Sequence, residues 1–271
     1  MPELDLTIGE FTSPLIGPGD PPPYEVLNPD GRAAVVLICD HASPAIPAGL
    51  NDLGLAADAL GRHVAVDIGA ADVTRSLSRR LDAPAVLAGY SRLLIDLNRP
   101  LGDPESIPEV SDGTSVPGNR DLGEEEAAAR GETFFWPYHR TISAVTAQMW
   151  QRGPAPAMFS IHSFTPSLDG EDRQWDIGVL WNRDPRLARP LIQSLRRRDA
   201  LQVGDNEPYS GRQKAHTIDL HAGAQGLANC AVEIRQDHLE TRQSADHWAE
   251  ILGDALEDIL TMETVHRVEH F

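Results

Sequence analysis

Cysteine is nearly absent: two residues, Cys39 and Cys230, occur in a chain of 271. That excludes a disulfide framework and any four-cysteine zinc site. Each thiol lies inside an apolar run leading to a polar motif, the setting of a buried, reduced cysteine. Long apolar runs are missing too, since none approaches the roughly 18 residues that a membrane span requires. The opening Met1-Pro2-Glu3-Leu4-Asp5 has neither the basic start nor the apolar middle of a signal peptide. We therefore expect a cytoplasmic protein without a membrane partner. Basic residues are outnumbered, 23 against 41 acidic, for a formal net charge of -18. A phosphate backbone is repelled by that balance, so no nucleic-acid partner is expected, and Arg196-Arg197-Arg198 reads as a solvated helix end. No G-x-S-x-G and no glycine-rich phosphate loop occurs, which sets aside the serine hydrolases and nucleotide binders.

What is present suits one α/β domain, because 41% hydrophobic residues over this length can fill one large core. Residues 1 to 31, with Pro21-Pro22-Pro23 in the middle, read as an extended N-terminal arm, and residues 32 to 271 as the catalytic domain. Ala33 to Cys39 is an uninterrupted apolar run, the pattern of a strand covered on both faces. A helix is predicted from Asp67 to Leu81, a strand over Ala85 to Ala88, and a further strand, or its continuation, over Leu93-Leu94-Ile95. The stretch 100 to 122 reads as a long loop of the kind that forms lids or binding loops. A helix follows over 124 to 151, interrupted near Trp136-Pro137, where proline lacks a donor. Strands are expected over Ala157 to Ile161, Trp175 to Trp181 and Asn229 to Ile234, with helices over 184 to 198 and 239 to 264. The alternation implies a three-layer α/β/α domain with a mixed, mostly parallel sheet. In such a sheet the groups at the carboxyl ends of strands share one crevice.

Four polar segments fall at those ends: Cys39-Asp40-His41-Ala42-Ser43, Ile95-Asp96-Leu97-Asn98-Arg99, Ser160-Ile161-His162-Ser163-Phe164 and Val232-Glu233-Ile234-Arg235. His41 and His162, each flanked by small or hydroxyl residues, are candidate metal ligands, and imidazole with carboxylate favours zinc. For the third ligand we expect Asp67; Asp40 and His63 are the alternatives, although Asp40 and His41 are adjacent and should point to opposite sides of an extended segment. Glu233 is a charge inside an otherwise apolar strand, so it must be paired, protonated or working. Its candidate role is general base, and a salt bridge to Arg235 is the structural alternative. Asn98 and Arg99 offer an amide and a planar fork for a substrate carboxylate, and Arg92 a second fork or a partner for oxyanion charge. Arg212 and His221 are candidates to close on substrate, and Tyr138 and His139 pose the same question.

Taken together these motifs resemble the N-formylglutamate amidohydrolase family, itself similar to zinc carboxypeptidases in fold. Ser-Ile-His-Ser-Phe resembles the carboxypeptidase strand that supplies the last zinc histidine, Asp96-Leu97-Asn98-Arg99 the segment whose Asn-Arg pair holds the substrate carboxylate, and Val232-Glu233-Ile234-Arg235 the segment of the catalytic glutamate. The resemblance spans about residues 33 to 240 in the same chain order. Within the family, the Asp67 region, Pro137-Tyr138-His139 and the His221 region also look similar. One departure stands out: carboxypeptidases use His-x-x-Glu for two ligands, whereas Pro44 follows His41 by three. The resemblance implies a zinc-exopeptidase-like fold and a zinc-dependent hydrolase of linear amides. Its substrate would be a small N-acyl amino acid such as N-formylglutamate, with Glu233, Arg92 and His221 catalytic, Asn98, Arg99 and Arg212 binding substrate, and His41, Asp67 and His162 on zinc. A homo-oligomer is left open. The rival expectation is a metal-free binding or regulatory protein that keeps only the carboxylate pocket, and a related metallopeptidase or deacylase would share the site.

Overall fold

The computed structural model describes residues 13–168, 170–213 and 215–271. Seven strands form the main sheet: β1 (Tyr24–Leu27), β2 (Val35–Cys39), β3 (Ala85–Ala88), β4 (Ala157–Phe164), β5 (Ile177–Leu180), β6 (Val203–Asp205) and β7 (Asn229–Arg235). Their spatial order is β1-β3-β2-β4-β7-β5-β6. The four central strands run parallel, while β1 and the β5-β6 pair run the other way. The sheet is thus mixed and mostly parallel, as the alternation of elements implied.

Alternate residues of β2 explain why its sequence is apolar throughout. Val35, Leu37 and Cys39 enter one core with Leu77, Trp248 and Leu252. Val36 and Ile38 enter the other, with Phe134, Tyr138 and Ile142. A strand covered on both faces has no position at which a polar side chain would reach water. The first layer is built by α1 (Ala70–Leu81), α4 (Ala188–Arg196) and α6 (Arg242–Ile259), and the second by α2 (Glu124–Arg130), α3 (Trp136–Arg152) and α5 (His216–His221) with the loops beside them. None of the helices is long and apolar enough to cross a membrane among the described residues.

Several elements differ from their sequence-based outlines. Within the expected arm, residues 1–12 lie outside the described residues, and Tyr24–Leu27 joins the sheet as an edge strand. The arm crosses Gly89, where an added Cβ would stand 2.0 Å from the Pro22 carbonyl oxygen. The first long helix begins at Ala70 rather than Asp67. Gly69 occupies the left-handed region (φ 76°) just before it, and Asp67 is left outside, free to turn to the crevice. The long helix near Trp136-Pro137 is interrupted by a π-turn over Gly131–Phe135, and Pro137 falls in the first turn of the helix that follows, where no N–H is needed.

Leu93-Leu94-Ile95 is not a strand. The segment turns back on itself, with the Leu94 N–H donating to the Ser91 carbonyl at 3.0 Å. Its carbonyls are taken by side chains instead of a sheet neighbour: Leu93 O accepts from Asn119 Nδ2 (2.8 Å) and Leu94 O from Arg130 (3.0 Å). Arg130, 4% exposed, also donates to Asn119 Oδ1 and the Gly118 carbonyl. It thereby ties the buried segment ahead of Asp96 to the 100–122 loop. Arg130→Met removes these donors while preserving most of the volume. We expect it to lower the unfolding free energy by about 2–4 kcal/mol, since buried acceptors lose their partners. Urea denaturation checks this, and a change below about 0.5 kcal/mol would show that the segment is held otherwise.

Candidate active site

Three elements deliver one cluster. β2 ends in Asp40 and His41, β4 carries Ser160 and His162 on one face, and the turn before α1 brings in Asp67, whose N–H donates to the His41 carbonyl at 3.1 Å. Asp67 Oδ2 stands 3.3 Å from His41 Nδ1 and 2.9 Å from His162 Nδ1. One ligand atom from each of the three lies within 4.8 Å of the others, and all three residues are buried.

The remaining imidazole nitrogens are held by other carboxylates. His41 Nε2 meets Asp96 Oδ1 at 2.8 Å, and His162 Nε2 meets Asp40 Oδ2 at 3.3 Å and Ser160 Oγ at 3.0 Å. Asp40 in turn accepts from the Tyr138 hydroxyl at 3.0 Å. Asp40 and His41 do point apart, and Asp40 ends up behind the His162 ring rather than beside His41. His63 stands at the cavity rim, paired with Asp112 at 2.9 Å, outside the His-Asp-His cluster.

The charges explain the protonation. Burial by itself would raise Asp67 and Asp96, but His41 and His162 beside Asp67, and Arg92 with His41 beside Asp96, hold both well below the usual carboxylate range. Burial alone would lower the imidazoles, yet Asp96 and Asp67 raise His41, and Asp40 with Asp67 raise His162 well above its ordinary 6.5. Asp40, Asp67, Asp96 and Glu233 are all buried here; Arg92 pairs with Asp96 at 2.8 Å and with Asp67 at 3.5 Å, and the Arg99 charge also acts on Asp96. A buried surplus of negative charge of this kind calls for a cation or for protons.

Glu233 sits in β7, in register with His162 on β4. Its Oε2 is buried and has no hydrogen-bond partner among the described residues. Burial is the largest influence on this carboxyl, which is pushed up to about 7, with Asp67 adding to the rise against His162, His41 and Arg92. The alternative of a salt bridge to Arg235 is removed, because Arg235 pairs with Asp237 at 2.8 Å and Asp176 at 3.3 Å.

His41, Asp67, His162, Glu233 and Arg92 line one cavity of about 290 Å³, together with Asn98 and Arg99. Asn98 Oδ1 accepts from the Thr217 N–H at 3.0 Å; Arg99 donates to the Asn98 carbonyl at 3.0 Å and pairs with Glu105 at 3.1 Å. The 100–122 loop forms part of the wall through Glu105, Pro108, Val110, Ser111 and Asp112. Tyr209, from the segment ahead of α5, lines it as well, accepting from Arg173 at 2.8 Å.

Two of the expected site residues stand elsewhere. Arg212 is exposed and is not part of the cavity wall. His221 is buried on α5 against His139, whose Nδ1 meets His221 Nε2 at 2.8 Å. The hydroxyls flanking His162 have partners here, Ser160 with His162 Nε2 at 3.0 Å and Ser163 with Gln236 at 3.2 Å; Gln236, just past the end of β7, has no signal in the sequence.

Could the cluster hold a metal? Tetrahedral ligands about 2.0 Å from a zinc ion lie roughly 3.3 Å apart; the two imidazole nitrogens stand 3.3 and 2.9 Å from Asp67 Oδ2, and the three ligand atoms all lie within 4.8 Å of one another. Each imidazole also has its second nitrogen on a carboxylate, the usual support for a metal-bound histidine. The donor set therefore fits a zinc ion.

A mixed α/β sheet with this cluster at the carboxyl ends of its central parallel strands, and beside it a buried glutamate whose Oε2 has no hydrogen-bond partner among the described residues, has the build of a hydrolase. The sequence profile of the N-formylglutamate amidohydrolase family matches residues 33–239, and the chain belongs to that family. It is similar to a gene product from Agrobacterium tumefaciens of known crystal structure, with 35% identity and a TM-score of 0.84, over 90% of this chain and 99% of that one. It shares its fold with N-formylglutamate amidohydrolase from Ralstonia eutropha, at 18% identity and a TM-score of 0.65, over 88% of this chain and 97% of that one. Among curated protein sequences, none matches the chain.

The His139-His221 pair has a consequence for stability. Burial lowers both to about 4, with the neighbouring His139 adding to the fall of His221, and Asp40 opposing it in each case. An unfolded chain holds them near 6.5, so it binds more protons between pH 4 and 6.5. Their contribution to stability is complete above about 6.5 and is lost as the pH falls toward 4. In His221→Phe the acid limb of the stability profile should flatten by on the order of 2 kcal/mol between pH 7 and 4.5 relative to the parent. Parallel profiles in urea titrations would contradict this.

Proposed function

We propose that the chain is a zinc-dependent amidohydrolase that cleaves the N-formyl, or N-acyl, amide of an acidic amino acid such as N-formylglutamate. The observation that carries the reading is the orphaned, buried Glu233 carboxyl sharing one cavity with the His41-Asp67-His162 cluster and the Asn98-Arg99 pair. His41 and His162, through Nδ1, and Asp67 would hold the metal. Zinc, when bound, supplies Lewis-acid polarisation of a carbonyl and a water of lowered pKa.

The chain's own groups do the rest. Glu233 takes the proton of the attacking water as its oxygen adds to the formyl carbon, and passes it to the amine nitrogen as the C–N bond breaks. Formate and the free amino acid result. Burial raises this carboxyl, which strengthens its hold on a proton between the two transfers. Arg99 and Asn98 bind a carboxylate of the amino acid and orient the amide before chemistry. Arg92, at the same wall, offsets charge that develops on the carbonyl oxygen. Asp96 fixes the His41 imidazole by accepting from Nε2, and Ser160 with the Asp40 charge 3.3 Å away fixes that of His162, which keeps both Nδ1 atoms turned to Asp67.

Metal content and a panel of N-formyl, N-acetyl and N-carbamoyl amino acids, assayed for amine release with and without chelator, test the reading. One equivalent of zinc and chelator-sensitive release from N-formylglutamate are expected. A protein that hydrolyses the substrate at an undiminished rate without metal would contradict it. Glu233→Gln should lower kcat by about 10²–10⁴-fold or more while zinc content stays unchanged. Turnover retained in that variant would remove Glu233 from the mechanism.

A further inference from the structure

His139 and His221 are buried, outside the cavity wall, and have no role in the chemistry above. Their rings stack at 17°, with centroids 5.1 Å apart. Three contacts fix how their hydrogens are arranged. His139 Nε2 lies 3.0 Å from the Leu97 carbonyl oxygen, which can only accept, so that nitrogen carries a hydrogen. In the neutral ring His139 Nδ1 must then accept, and His221 Nε2 donates to it at 2.8 Å. His221 Nδ1 accepts in turn from the Ser143 hydroxyl at 3.2 Å. A directed chain results, from Ser143 through both imidazoles to Leu97, in which every ring nitrogen has a partner and no charge is needed.

The end of that chain is where it matters. Leu97 lies between Asp96, which holds His41, and the Asn98-Arg99 pair. The same carbonyl accepts from Thr217 Oγ1 at 3.3 Å, while the Thr217 N–H donates to Asn98 Oδ1 at 3.0 Å. Thr217 and His221 are four residues apart on one face of α5, so that helix holds the Leu97-Asn98 peptide directly through Thr217 and, through His221, braces His139 against it. His139 grips it from α3. Segment 91–100 belongs to no strand, and this clamp replaces the ladder that would otherwise hold it.

We propose that His139 and His221 are positioning residues, a neutral imidazole pair that fixes the Leu97 carbonyl and so aims Asn98 and Arg99 at the substrate carboxylate. The inference rests on the reading of Asn98 and Arg99 as the carboxylate-binding pair. It gives His221 a task at one remove from substrate instead of the catalytic one expected of it.

The test compares the full-length, zinc-loaded protein with His139→Leu, His139→Gln and Arg99→Met, using N-formylglutamate as substrate. In His139→Leu the loss of a positioning hydrogen bond should raise KM about tenfold while kcat changes less than about threefold, with zinc content unaltered. His139→Gln, whose amide can still donate to Leu97 O, should restore most of the affinity. A purely structural role would lower the active fraction, and hence apparent kcat, without moving KM. If Arg99→Met raises KM and His139→Leu leaves it within twofold, the inference is overturned and the carboxylate pair stands. If neither variant moves KM, the carboxylate reading fails and takes the inference with it. Should His139→Leu not fold, His221→Phe serves in its place, with a raised KM expected and an unchanged KM overturning the inference.

Discussion

The site depends on one carboxylate. Asp67 reaches both His41 and His162 through a single oxygen, and each of the three comes from a different element. Two strands and a turn must be in place together before these atoms meet, which makes the cluster a product of the tertiary fold and of no local segment. Its cost is plain: four buried acidic groups surround two imidazoles, with the guanidiniums of Arg92 and Arg99 on the Asp96 side. Burying such charge is unfavourable unless it is paired or neutralised. The raised imidazoles and depressed aspartates are the response of this protein to that surplus, and a divalent cation would answer it more completely.

The supports around the cluster come largely from the first turn of α3. Tyr138 reaches Asp40, behind His162, and the next residue, His139, reaches Leu97, ahead of Asn98. Adjacent helical residues point about 100° apart, so one turn can serve the two halves of the cavity. The π-turn before Trp136 and the proline at 137 set the phase of that turn. An irregularity in the helix is thus tied to the geometry of the site, as π-turns often are.

Legibility followed physical range. The apolar run of β2, the interruption at Pro137 and the crevice position of His41 and His162 could be read because strand burial and proline act over a few residues. Glu233 was legible for the same reason, as a charge inside an apolar strand. The bend at Leu93-Leu94-Ile95 is not legible in the sequence, because apolar character reports burial and not extension; its carbonyls are taken by Asn119 and Arg130 from a distance. Asp67 stands beside the two histidines as its position ahead of the helix suggested, but its place outside the helix depends on Gly69, whose left-handed backbone packs under Leu239 from far along the chain. The position of His221 was hidden for a like reason. A histidine in a glycine-bearing segment looks exposed until α5 is seen folded against α3.

The central claim is that Asp67 and the Nδ1 atoms of two histidines grip one zinc ion. Anomalous diffraction at the zinc edge, from crystals of the zinc-loaded protein, tests it most directly. The account predicts a single strong peak bonded to His41 Nδ1, His162 Nδ1 and an Asp67 oxygen. A peak held elsewhere, or by Nε2 of either imidazole, would contradict it.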